Sequence, residues 1–167
     1  AAYRKIYPDG HKELAFALNT LGLWLVLAGE YPEADGDIHE ALAMRRRLLG
    51  ERHPDVASSL VVLAHLDVAE HKFEPALDSA RDAAEIYTAA LSATHWRTAV
   101  AESAQGAALA GLGRYPEAQA MLDRSYAILS KDGGAPKFFV TLTQGYIAAL
   151  HREVRSPAAR KATTAAL

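Results

Sequence analysis

The sequence predicts an all-α solenoid of antiparallel helix pairs, with about eight helices in all. Three observations support this fold class. The same text recurs every 42 residues, half of the residues are hydrophobic with alanine abundant among them, and several prolines stand where helices are expected to begin. Alanine has the highest intrinsic helix propensity, and proline is well tolerated in the first turn of a helix. A period of this length indicates a structure built from repeated units.

The repeat is visible in three sets of residues that keep the 42-residue spacing. These sets are His11, His53 and His95; Tyr31, Phe73 and Tyr115; and Ala34, Ala76 and Ala118. Around the aromatic residue the text is nearly constant: Gly-Glu-Tyr-Pro-Glu-Ala at 29–34, His-Lys-Phe-Glu-Pro-Ala at 71–76 and Gly-Arg-Tyr-Pro-Glu-Ala at 113–118. Because three independent sets share one period, chance similarity is a poor explanation.

The landmarks divide the chain into full and partial units. Three full repeats cover residues 11–52, 53–94 and 95–134, and residues 135–167 form a degenerate, capping fourth repeat. Residues 4–7 align with residues 46–49, near the end of the first full repeat. We therefore expect residues 1–10 to be the tail of a truncated preceding repeat, which would make the chain a piece of a longer protein.

Each unit is predicted to contain two helices. The first runs from the repeated histidine to just before the aromatic residue, and the second begins at the aromatic residue. In the second unit these helices are expected at Pro54 to about Glu70 and at Phe73 to about Leu91. In the fourth unit the first helix is expected from about Pro136 to Arg152, followed by a short second helix at about 157–166.

Composition argues against several classes of function. Lys and Arg total 18 against 20 Asp and Glu, so the basic excess typical of a nucleic-acid-binding protein is absent. No apolar run approaches the length that crosses a bilayer, which argues against membrane insertion. There is no cysteine, which fits a cytoplasmic protein without disulfides or thiolate metal sites. The sequence contains no phosphate-binding loop or nucleophile motif, so we expect no enzyme activity, cofactor or metal ion.

The spacing within a unit resembles the tetratricopeptide repeat. The first full unit carries the residues of that pattern: Leu21-Gly22, Gly29, Tyr31, Ala34 and Ala41. The ordinary unit of this family has 34 residues. The longer unit here, with its junction at residues 48–57, looks like the kinesin-light-chain type, and the resemblance covers roughly residues 4–160. It implies a right-handed superhelix whose first helices line a concave groove, and a protein-interaction role as part of a larger bacterial signalling or regulatory protein.

The resemblance also implies which side chains face the groove. The family's groove positions correspond here to Phe16, Asn19, Thr20, Leu23, Val26, Leu27, Ser58, Val61, Val62, His65, Val100, Ser103 and Tyr146. This set is mostly apolar, so it favours a hydrophobic partner helix or peptide over an acidic tail. The partner segment would come either from the same protein or from another. The alternative for some of these side chains is that they pack against neighbouring units.

A second hypothesis assigns the array a structural function. In this case the ends of the array would associate with those of another copy, and the protein would be a homo-oligomer. The two hypotheses differ over which surface matters, since docking uses the groove and self-association uses the terminal helices.

Overall fold

The computed structural model describes residues 10–131 and 134–155, and within these residues the regular structure is entirely helical. The helices are α1 (Lys12–Ala28), α2 (Tyr31–Leu49), α3 (Pro54–Ala69), α4 (Phe73–Ala90), α5 (Trp96–Gly111), α6 (Tyr115–Leu129) and α7 (Lys137–Arg155). The all-α prediction is confirmed. The expected helix at 157–166 and nearly all of the expected tail at 1–10 lie outside the described residues.

Each helix packs most closely against the next one along the chain, as antiparallel pairs joined by short turns do. The first helices of neighbouring units also contact one another, α1 with α3, α3 with α5 and α5 with α7. The first helices therefore form one layer of the array. Within the described residues, no helix is both long enough and apolar enough to span a bilayer.

The repeated histidines begin the first helix of each full unit. His11, His53 and His95 are the N-cap residues of α1, α3 and α5. In each case the ring Nδ1 accepts a hydrogen bond from the backbone N–H two residues later, over 3.4, 3.1 and 3.1 Å respectively. A side-chain acceptor at this position satisfies a backbone donor that the helix itself leaves unpaired. The 42-residue period of histidine is therefore explained by helix capping.

A tight turn ends each of these helices in the same way. The backbone N–H groups of Glu30, Lys72 and Arg114 donate to carbonyls five residues earlier, over 2.9, 2.8 and 2.9 Å. This bond requires a left-handed residue just before it. Units one and three place Gly29 and Gly113 there, with φ of 83° and 74°, but the second unit places His71, with φ of 61°.

Replacing His71 with glycine is expected to raise the free energy of unfolding by roughly 1 kcal/mol, because a side chain is strained in the left-handed conformation. His71 also contacts the ring of Phe73, with centroids 5.6 Å apart. His71→Ala is the control, since it removes this contact and keeps the strain. Urea denaturation should rank the glycine variant above the alanine variant, and the reverse order would contradict this account of the turn.

Close packing between the two helices of a unit depends on small residues. Ala34, Ala76 and Ala118 are fully buried, as their repeated positions predict. A Cβ atom on Gly22 would lie 2.6 Å from Ile38 Cγ1, and one on Gly106 would lie 2.6 Å from Leu122 Cγ. A side chain at either glycine would therefore clash with the facing Ile38 or Leu122 side chain of the second helix.

Candidate partner-binding groove

The first helices of the four units line a groove, and two of the cavities along it adjoin one another. The first, which we call the Asn19 cavity, has a volume of about 120 Å³. The second, the Leu142 cavity, has a volume of about 250 Å³. His65 and Leu23 line both cavities, so the two lie side by side along the groove.

The Asn19 cavity has a buried floor and a partly exposed rim. Side chains of α1, α3, α4 and α5 form the floor: Asn19, Val61, Val62, His65, Tyr87 and Val100. The rim consists of Leu23, Ser58, Trp96, Arg97 and Phe139, each of which is half-buried. The cavity is therefore reached from solvent between α1, α3, α5 and α7, and its base combines apolar walls with polar groups.

The Leu142 cavity is more apolar. Its lining residues come from α1, α3 and α7, and they are Leu23, Val26, Leu27, His65, Val68, Ala69, Leu142 and Tyr146. No acidic side chain lines either cavity, and Arg97 is the one charged group among the described residues that line them. The Arg97 guanidinium lies over the Trp96 ring, 5.3 Å from its centroid. Such a groove favours apolar and neutral polar ligand groups.

His65 and Tyr146 connect α3 to α7 across the groove. His65 Nδ1 is 2.9 Å from the Tyr146 hydroxyl oxygen, and the two rings stack with centroids 6.1 Å apart. Burial lowers the pKa of His65 to about 4, and burial also raises the pKa of Tyr146. Both groups are therefore neutral at neutral pH.

Aromatic residues at the start of α7 also contact α1 and α5. Phe138 packs against Trp24 of α1, with centroids 6.3 Å apart, and Phe139 packs against Trp96 of α5, with centroids 6.0 Å apart. Helix α7 therefore forms one wall of the groove.

The structure brings most of the predicted groove residues together. All of them line the two cavities except Phe16, Thr20 and Ser103. Phe16 is 66% exposed on α1, and the Thr20 hydroxyl donates to the Phe16 carbonyl over 2.9 Å. The Ser103 hydroxyl is buried 2.8 Å from that of Thr143, so it joins α5 to α7.

Sequence reasoning missed four residues that line the Asn19 cavity: Tyr87, Trp96, Arg97 and Phe139. Tyr87 comes from the second helix of its unit, whereas the family pattern points only to first helices. Trp96, Arg97 and Phe139 lie in the first turn of their helices. These three residues could have been identified in the sequence as aromatic or basic side chains close to a predicted helix start.

The repeated histidines do not form a metal site. No group of three His, Asp or Glu side chains within residues 10–131 and 134–155 is arranged to hold a metal ion. Each histidine instead caps its own helix, one unit away from the next.

Comparisons with known proteins agree with this architecture. The family model described as "Tetratricopeptide repeat" matches residues 13–89. A curated relative, the clustered mitochondria protein homolog of Danio rerio, is 25% identical over 149 residues. That match covers 89% of this chain but only 11% of the relative's length. The crystal structure of a TPR-like protein from Chlorobium tepidum superposes with a TM-score of 0.65 and 22% identity, covering 83% of this chain and 94% of that one.

Proposed function

We propose that this chain, whose residues 13–89 match the tetratricopeptide repeat family, is a non-catalytic scaffold that binds a segment of a partner protein in the groove between α1, α3, α5 and α7. Repeats of this kind generally mediate protein–protein interactions. The observation that carries the proposal is the pair of adjoining cavities, whose described lining contains no acidic side chain and a single cation.

The lining favours a hydrophobic helix or peptide as the partner segment. Burying apolar side chains of the segment against these walls stabilises the complex by about 25 cal/mol per Å² of apolar surface removed from water. An unpaired charge inside the Leu142 cavity would meet no counter-charge there, and burying such a charge is strongly unfavourable. Because Phe139, Leu142 and Tyr146 already line the groove, the partner segment packs against α7 as well as α1, α3 and α5.

The substitution Leu23→Glu tests this site directly. Leu23 lines both cavities and is half-buried, so a carboxylate there disturbs the groove with less effect on the core than one at the buried Val62. Peptides that bind the protein can be selected from a displayed random library. We expect Leu23→Glu to weaken their binding by roughly 30-fold or more, as about 2 kcal/mol of desolvation and lost apolar contact would do.

The matched control is Leu48→Glu, which places the same charge on an exposed leucine of α2 outside both cavities. It should bind the selected peptides as the original chain does, and circular dichroism should show both variants fully helical. Equal binding by the two variants would exclude the groove as the docking site.

We also propose a cytoplasmic setting, with the array forming part of a larger regulatory protein. The Danio rerio relative supports only the larger size of the protein, since the matched region is a small part of that relative.

Self-association is a second candidate function, and α1 carries the observation that favours it. Phe16, Leu21, Trp24 and Leu27 are all exposed on this first described helix. An apolar face of this kind is typical of interaction surfaces. Sedimentation equilibrium should then show dimers that Phe16→Ser dissociates, and a monomer at all accessible concentrations would remove this candidate.

A further inference from the structure

Two buried polar atoms on the floor of the Asn19 cavity stand out among the described residues. They are Asn19 Oδ1 and His65 Nε2, and neither has a hydrogen-bond partner among the described residues. The two side chains are only 7% and 4% exposed. A buried polar atom left without a hydrogen bond is unfavourable by about 1–3 kcal/mol, so such atoms normally meet water or a ligand.

The hydrogen-bonding needs of the two atoms differ. Asn19 Oδ1 is an acceptor, so a ligand must offer it a donor. His65 is neutral, with its Nδ1 engaged by the Tyr146 hydroxyl, so its Nε2 is a donor in one tautomer and an acceptor in the other. A ligand group that carries both an N–H and a C=O satisfies Asn19 and either tautomer of His65.

The charges around the cavity further restrict the chemical class of the ligand group. Arg97 lies at the rim, and none of the described residues that line the cavity offers a carboxylate to balance a cationic ligand. An ionised carboxylate would present only acceptors to Asn19 Oδ1 and would leave that atom unsatisfied. Neutral groups with both a donor and an acceptor remain, and among side chains only the primary carboxamide combines an N–H with a C=O.

The volume and the lining of the cavity fit a carboxamide carried on a short aliphatic chain. The volume of about 120 Å³ equals the space of roughly four water molecules in the liquid. Val61 and Val62 provide apolar surface on the floor, and Leu23 provides it at the rim. The two methylenes of a glutamine side chain would pack against these residues while the carboxamide reached Asn19 and His65.

We propose that the Asn19 cavity is a specificity site that binds the carboxamide of a glutamine side chain in the partner segment. Asn19 Oδ1 accepts a hydrogen bond from the amide nitrogen, and His65 Nε2 bonds to the same carboxamide. The proposal rests on the proposed function, because the glutamine is supplied by the segment docked in the groove.

Three capped amino acids that differ only in their side chains test this site: N-acetyl-glutamine amide, N-acetyl-glutamate amide and N-acetyl-methionine amide. The indole N–H signal of Trp96, a rim residue, reports binding by NMR titration. The signal of Trp24, which lines neither cavity, is the internal control. We expect the glutamine probe to shift the Trp96 signal with at least about tenfold higher affinity than the other two.

Asn19→Leu should abolish this preference. Gln144→Leu, which removes an exposed amide of α7 outside both cavities, should retain it. Equal or tighter binding of the glutamate probe would overturn the proposal by showing that Arg97 dominates. No shift with any probe would overturn it as well, because the cavity would then hold water only. The two proposals can fail separately. If the glutamine probe is preferred but Leu23→Glu leaves peptide binding unchanged, the proposed docking function is rejected and the carboxamide site in the Asn19 cavity stands.

Discussion

Replacing Leu122 with alanine is expected to lower the free energy of unfolding by about 2–5 kcal/mol. Leu122 is fully buried between α5 and α6, so its removal leaves a cavity that the surrounding helices fill only in part. Because a Cβ at Gly106 would lie only 2.6 Å from Leu122 Cγ, Gly106→Ala alone should also destabilise the protein, by about 1–2 kcal/mol.

The double variant should show that side chains at positions 106 and 122 compete for the same volume between α5 and α6. In the Leu122→Ala background the new methyl group at position 106 occupies the vacated volume, and alanine is a better helix former than glycine. Gly106→Ala should therefore become stabilising, by about 1 kcal/mol, and the double-mutant cycle should give a coupling of about 2–3 kcal/mol. Gly36→Ala on α2, where no atom lies within 4 Å, is the control and should be stabilising in both backgrounds. A stabilising effect of Gly106→Ala in the original chain would show that α5 and α6 lie further apart.

Acidification from pH 7 to pH 4 is expected to remove up to about 3 kcal/mol of stability through His65 alone. Burial lowers the pKa of His65 from 6.5 to about 4 in the folded state. The unfolded chain therefore binds one more proton than the folded chain between these two values, and stability falls as the pH falls through this window. Above pH 6.5 the contribution is fully present, because the histidine is neutral in both states.

The pH dependence of urea denaturation should show this slope, about 1.4 kcal/mol per pH unit near pH 5. His65→Gln should flatten it. Tyr146→Phe should retain it, since the shift comes from burial and not from the hydrogen bond to the tyrosine hydroxyl. An unchanged slope in His65→Gln would show that this histidine is not the group responsible.

Local sequence was enough to predict the helices of the repeat. The prediction of Pro54 to about Glu70 compares with the observed α3, Pro54–Ala69, and Phe73 to about Leu91 compares with α4, Phe73–Ala90. Proline, the capping histidine and the buried alanine each act within one helix or one helix pair. Their effect is therefore readable from residues a few positions apart.

The shape of the groove was not predictable in the same way. The contact between His65 and Tyr146 joins residues 81 positions apart, and the contact between Trp24 and Phe138 joins the first described helix to the last. These distances depend on small rotations between units that accumulate along the array. No residue pattern within one unit encodes that sum, so the aromatic contacts of α7 with α1 and α5 emerged only from the structure.

The central claim, that a partner segment binds between α1, α3, α5 and α7, is tested most directly by site-specific photo-cross-linking. Benzoylphenylalanine would replace Phe139 at the rim of the Asn19 cavity and, in a separate sample, Leu48 on α2. With a selected peptide bound, cross-links are predicted from position 139 and not from position 48. Cross-links from position 48 with none from position 139 would contradict the groove as the binding site.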